Sequence, residues 1–140
     1  MNPLALKKLE NYDHFHKNFV NKVIHYVGIP LILYSTIALL SLLGRGHLNF
    51  AVVTIIAVSI YYWLSMGRTM SLAFVFFATL FYFVGRSVPL SYNVGIFVFG
   101  WVTQILGHRI YEKNSPAFFK NFEQLLMGPA WFFTKVLHFK

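Results

Sequence analysis

Residues 23–44 read VIHYVGIPLILYSTIALLSLLG, 22 positions without one Lys, Arg, Asp or Glu. A helix rises 1.5 Å per residue, so about 20 apolar residues cross the roughly 30 Å hydrocarbon layer of a bilayer. Residues 46–67 and 87–108 are uncharged runs of the same length, and 69–85 is a fourth, of 17 residues. Single arginines (Arg45, Arg68 and Arg86) divide the runs, beside Gly44, Gly46, Gly67, Gly85 and Pro89. Such punctuation suits tight turns between antiparallel helices. Four helices apolar on every face need far more protein around them than 140 residues supply, so lipid is the expected solvent. The expectation is an all-α integral membrane helical bundle, one transmembrane domain over 1–140. Its four spans fall at approximately 23–44, 47–67, 69–85 and 88–109.

Composition points the same way. Charged residues are 11% of the chain, and hydrophobic ones 57%, whereas a soluble domain carries about 25% charge. The absence of cysteine excludes disulfides, zinc-thiolate sites, iron–sulfur clusters and thiol nucleophiles. A net charge of +8 raises the question of nucleic acid, but the basic residues form no stripe and none is expected as a partner. Ten of them (Lys7, Lys8, Lys17, Lys22, Arg68, Arg109, Lys113, Lys120, Lys135 and Lys140) fall on one side of the four spans, against Arg45 and Arg86 on the other. The positive-inside rule then puts both termini in the cytoplasm, as an even number of spans requires. The membrane would be the inner (plasma) membrane in a bacterium, or the endoplasmic reticulum in a eukaryote. The first run follows 22 residues that include Glu10 and Asp13 and lacks a small-residue cleavage site, so it does not read as a cleaved signal peptide.

The ends read as interfacial or re-entrant helices, at 4–21 and 117–139. The second is rich in aromatics, among them Phe118, Phe119, Phe122 and Trp131, around a Gly128-Pro129 break, and suits an aromatic belt at headgroup level. His47 and His138 read as plain interfacial anchors.

Polar residues where hydropathy should exclude them are candidates for function. One group is Tyr12, His14, His16, Asn18, Asn21 and His25, ahead of Gly28 and Pro30. On an unbroken helix His14, Asn18, Asn21 and His25 share a face, while His16 lies about half a turn away. For His16 and His25 to meet one ion, the helix must break between them, near 19–22. The other group is Trp101, Gln104, His108 and Glu112, a polar stripe along an apolar span. His16, His25, His108 and Glu112 then converge near one membrane face. Imidazoles with one carboxylate and no thiolate suit iron, zinc, copper or manganese, and such sets with open positions serve non-haem Fe(II) oxygenases. The same residues also suit other readings. These are interhelical hydrogen bonds in a non-catalytic bundle, an exposed His108–Glu112 pair, haem ligation by two histidines, or a transport pathway.

At this point the two groups resemble a known family. Tyr12-x3-His16-x-Asn18-x2-Asn21-x3-His25-x2-Gly28-x-Pro30 resembles the N-terminal motif of small membrane proteins related to the yeast 2-hydroxy fatty acid dioxygenase, which acts in metabolism of phytosphingosine to odd-numbered fatty acids. Gly100-Trp101-x2-Gln104-x2-Gly107-His108-x3-Glu112-Lys113-x2-Pro116-Ala117 resembles the family's C-terminal motif. The resemblance runs from about Tyr12 to Phe133. It implies an Fe(II)-dependent dioxygenase that takes a 2-hydroxy fatty acid and O2 to CO2 and the acid one carbon shorter. It further implies that His16, His25 and His108 are iron ligands, with Glu112 a fourth ligand or a partner of one imidazole. Tyr12, Asn18, Asn21, Trp101 and Gln104 would orient the ligands or hold the substrate head. His14 has no counterpart in the motif, so it ranks below His16. Chain-length preference, stereochemistry, oligomeric state and iron against zinc are not readable from these motifs.

Overall fold

Asparagine starts three of the six α-helices among the described residues. Asn2, Asn18 and Asn49 each accept backbone N–H groups of the first turn through Oδ1, satisfying donors that a helix start otherwise leaves bare. The computed structural model describes residues 1–45 and 47–138. The turn glycine Gly46 and the end of the C-terminal segment, Phe139 and Lys140, lie outside the described residues. In chain order the helices are α1 (Pro3–His14), α2 (Phe19–Ser41), α3 (Phe50–Met66), α4 (Arg68–Ser87), α5 (Leu90–Gly107) and α6 (Glu123–Lys135). A π-helical turn, His108–Glu112, continues α5, and a 3-10 turn, Ala117–Phe119, precedes α6. Between α2 and α3, β1 (Gly44–Arg45) pairs antiparallel with β2 (Leu48–Asn49).

α2 is the central helix, packed against α5, α4, α3 and α6. Ile29, Ile37, Tyr62, Met70, Phe74, Met127, Trp131 and Phe133 form much of the buried core. The outward face keeps Leu64, Phe76, Phe83, Tyr92 and Phe99 exposed, an apolar surface that suits lipid rather than water. Two turns are tightly specified. Gly67 takes φ 99° between α3 and α4, a left-handed conformation that favours glycine. Between α4 and α5, the Asn93 amide donates to the Gly85 carbonyl at 2.9 Å and accepts from the Tyr34 hydroxyl at 2.9 Å, fastening the turn to α2.

The all-helical expectation matches, but the spans are redrawn. Among the described residues, three helices are long and apolar enough to cross a membrane: Phe19–Ser41, Arg68–Ser87 and Leu90–Glu112. The run expected at 47–67 yields only the 17 residues of Phe50–Met66, because the β1–β2 hairpin takes its first residues. At 1.5 Å per residue it spans about 25 Å, short of the roughly 30 Å layer. The first long helix begins four residues earlier than expected. The segment expected as one helix over 4–21 breaks instead at 15–18, where Asn18 caps the next helix. The C-terminal expectation also changes: Gly128-Pro129 does not divide the segment, and α6 runs through it. Proline in a helix interior leaves a carbonyl one turn back without its N–H partner. Here Met127, Gly128, Ala130, Trp131 and Phe133 are all buried against the bundle, and tertiary packing outweighs that loss. Trp131 therefore belongs to the core, not to an aromatic belt.

Candidate metal centre

The non-helical turn at 15–18 is what brings the first histidine inward. With α1 ended at His14, the Phe15 and His16 N–H groups bond back to the carbonyls of Tyr12 and Asp13. This turns the His16 ring under the bundle, where 1% of the residue is exposed. His14, which shares a face with His25 on an unbroken helix, is left exposed and meets Phe15 edge-on. His25 comes from the second turn of α2, and His108 from the first residue of the π-turn. The three rings crowd one point, with centroids 4.2 Å apart for His16–His25, 4.7 Å for His16–His108 and 4.9 Å for His25–His108.

Each ring is held through Nδ1. His16 Nδ1 lies 2.7 Å from the Tyr12 carbonyl, His25 Nδ1 2.8 Å from the Asn21 carbonyl, and His108 Nδ1 3.1 Å from the Asn114 side-chain oxygen. A ring donating Nδ1–H carries its lone pair on Nε2, which leaves that nitrogen able to bind a metal. His16 Nε2 is buried with no hydrogen-bond partner in the protein. One nitrogen from each ring lies within 4.8 Å of the other two, near the roughly 3.4–4.2 Å that separates two nitrogens bound about 2.1 Å from a single ion. Burial pushes the His16 imidazole down to about 4, against the Tyr12 carbonyl, which works to raise it. His16 is therefore neutral at physiological pH and keeps its lone pair. Three imidazoles without a thiolate suit a divalent first-row metal such as iron or zinc. The close edge-to-face packing of the rings leaves no gap for the plane of a haem.

The remaining sequence candidates divide. Tyr12 stacks on His16 with 4.3 Å between centroids. The Gln104 amide donates to the Ile24 carbonyl at 3.2 Å, where Gly28 leaves room for it: a Cβ at Gly28 would stand 2.0 Å from that amide nitrogen. Asn18 and Asn21 do not face the rings together. Their N–H and side-chain amide both donate to one oxygen of Glu112, at 2.7 and 3.2 Å. Glu112 thus straps the π-turn to the start of α2, and it is not part of the three-histidine group. The π-turn accounts for this, since its wider turn shifts every residue after His108 off the stripe of an ideal α-helix. Trp101 lines the adjoining cavity, meets Phe118 edge-on at 5.1 Å, and buries Nε1 without a partner.

Three residues escape sequence reasoning. Asn114, which holds His108, sits past a π-turn that no periodicity announces. Trp131 packs 5.6 Å from His16 and stacks on Tyr26 at 5.0 Å, and its indole N–H donates to Asp13 at 3.0 Å. Gln124 lines the cavity and leaves Oε1 buried and unpartnered. Neither Trp131 nor Gln124 carries a local signal, because both sit in a segment that reads as surface.

The fold and the centre together define a small helical protein built for an apolar surround, with a buried three-histidine site. Residues 5–140 match the family described as 2-hydroxy-palmitic acid dioxygenase Mpo1-like. The 2-hydroxy-palmitic acid dioxygenase MPO1 of Saccharomyces cerevisiae is 30% identical over 125 residues, which cover 86% of this chain and 72% of the yeast protein. The chain belongs to the Mpo1-like family. No solved structure matches it.

Proposed function

We propose that the protein is an Fe(II)-dependent dioxygenase that shortens 2-hydroxy fatty acids by one carbon. The observation that carries this reading is the convergence of His16, His25 and His108, each held through Nδ1, with His16 Nε2 buried and unpartnered among them. The similarity to a relative named as a 2-hydroxy-palmitic acid dioxygenase supports it. The overall reaction balances without a further reductant: a 2-hydroxy acid and O2 give the acid one carbon shorter, CO2 and water. The substrate itself supplies the four electrons that O2 takes up.

The three imidazoles would hold the iron and leave coordination positions free. Bound Fe(II) supplies the means of activating O2 and of chelating the substrate through its carboxylate and 2-hydroxyl oxygens. The chain's own residues do the positioning. Tyr12, Asn21 and Asn114 fix the ring orientations, Gln104 ties α5 to α2 beside the centre, and Glu112 locks the α1–α2 break on which His16 depends. Trp131 and Tyr12 wall the rings from water, which strengthens every polar contact inside. Two unpartnered polar atoms on the cavity wall suit the hydroxy-acid head: Trp101 Nε1–H can donate to the carboxylate, and Gln124 Oε1 can accept from the 2-hydroxyl.

The reading extends to placement. The chain forms one transmembrane domain with four spans, α3 being the shortest, and both termini cytoplasmic by the positive-inside count. A single turnover on protein in lipid nanodiscs tests the function. The protein is loaded anaerobically with Fe(II), given 2-hydroxypalmitate and exposed to O2. Pentadecanoic acid, lost in His25→Ala and His108→Ala, is the expected product. Bound iron without any shortened acid from a series of 2-hydroxy acids would overturn it.

A further inference from the structure

The cavity beside the histidines changes character along its length. It is about 230 Å³ and runs from the rings between α2, α3 and α4. Its near end is polar, with the three imidazoles, Gln104 and Gln124 on its wall. Beyond Ile29 the wall becomes hydrocarbon: Ile32, Leu33 and Ile37 of α2, Val58 of α3 and Phe74 of α4. Two hydroxyls on this stretch are already occupied, since Thr54 Oγ1 donates to the Phe50 carbonyl and Tyr62 to the Leu126 carbonyl. The last lining residues are Thr36 and Ile37 near the end of α2 and Thr54 near the start of α3. From His25 to Ile37 the helix advances about 18 Å at 1.5 Å per residue.

A space with polar groups at one end and a long apolar barrel beyond fits an amphiphile with a single straight tail. We propose that this cavity holds the acyl tail of the substrate and that Thr36, Ile37 and Thr54, the lining residues farthest along α2 and α3 from the histidines, set the longest chain accepted. The inference rests on the reading of the histidine centre as the site of 2-hydroxy acid chemistry. Each methylene that finds a place on the apolar wall adds about fourfold in affinity, and each one denied a place forfeits it. Affinity along a homologous series therefore climbs until the tail reaches these three residues, then stops climbing.

The test is binding by metal-free protein in lipid nanodiscs, read by titration calorimetry as a homologous series of saturated 2-hydroxy acids is added. Thr54→Phe fills the far end and is expected to lower the limit by at least two methylenes, weakening the longest wild-type ligand tenfold or more. Ile37→Ala deepens it and is expected to raise the limit, a gain that a folding defect does not produce. Limits unmoved in both variants would overturn the inference. Turnover by the Fe(II)-loaded wild type separates the two claims. Shortened acids with unmoved limits sink the far-end assignment and leave the enzyme standing. Limits that move with no turnover of any member sink the enzyme and leave the tail site standing.

Discussion

The two halves of α2 carry polar side chains of different kinds. In the second half, Ser35 donates to the Leu31 carbonyl at 2.7 Å and Ser41 to the Ala38 carbonyl at 2.6 Å. A hydroxyl has one proton, and that bond uses it on the helix's own backbone. In the first half His25 also bonds a carbonyl one turn back, that of Asn21. An imidazole has a second nitrogen, so Nε2 remains to face other segments. Polar residues in an apolar helix thus fall into those that the helix satisfies alone and those with a group left over. Only the second kind marks a site.

The comparison breaks first at the histidines. His25→Ala or His108→Ala, each removing one of three metal-facing nitrogens, is expected to weaken Fe(II) binding by more than about 100-fold, beyond what loss of an outer partner costs. Iron content after dialysis against chelator measures it. Next comes Gly28→Ala, whose Cβ meets the Gln104 amide nitrogen at 2.0 Å. Overpacking of this kind costs about 1–3 kcal/mol, so thermal unfolding in nanodiscs should occur at lower temperature, with weaker iron binding alongside. Asn114→Ala frees the His108 ring while leaving all three histidines, and a fall of about tenfold in iron affinity is expected from loss of such a partner. Ser35→Ala sharpens the contrast from the other half: the buried hydroxyl's bond to its own helix is lost without orphaning a partner, so unfolding should shift by about 1 kcal/mol or less, with iron binding unchanged.

The sequence carried the helical architecture because uncharged runs of 17–22 residues between single arginines leave few alternatives in lipid. It also carried the three histidines, including the need for a break between His16 and His25. What it missed depends on irregular backbone or on tertiary packing. Asn18 as a cap sets the break at 15–18, a few residues before the expected place. The Gly44–Asn49 pairing shortens α3, and two-residue strands leave no periodic trace. The π-turn at His108–Glu112 moves Glu112 from the ring cluster to Asn18 and Asn21, which no count at 100° per residue foresees. Gly128-Pro129 reads as a helix break by local rules, yet burial of α6 on both sides of it keeps the helix whole.

His16, His25 and His108 are proposed to hold one ion among them. Anaerobic titration of metal-free protein with Fe(II), followed by elemental analysis of the separated protein, tests it most directly. One iron per chain is expected in the wild type and well under one in each of His16→Ala, His25→Ala and His108→Ala, with His14→Ala retaining the full complement. Iron bound equally by all four variants, or by none of the proteins including the wild type, would contradict it.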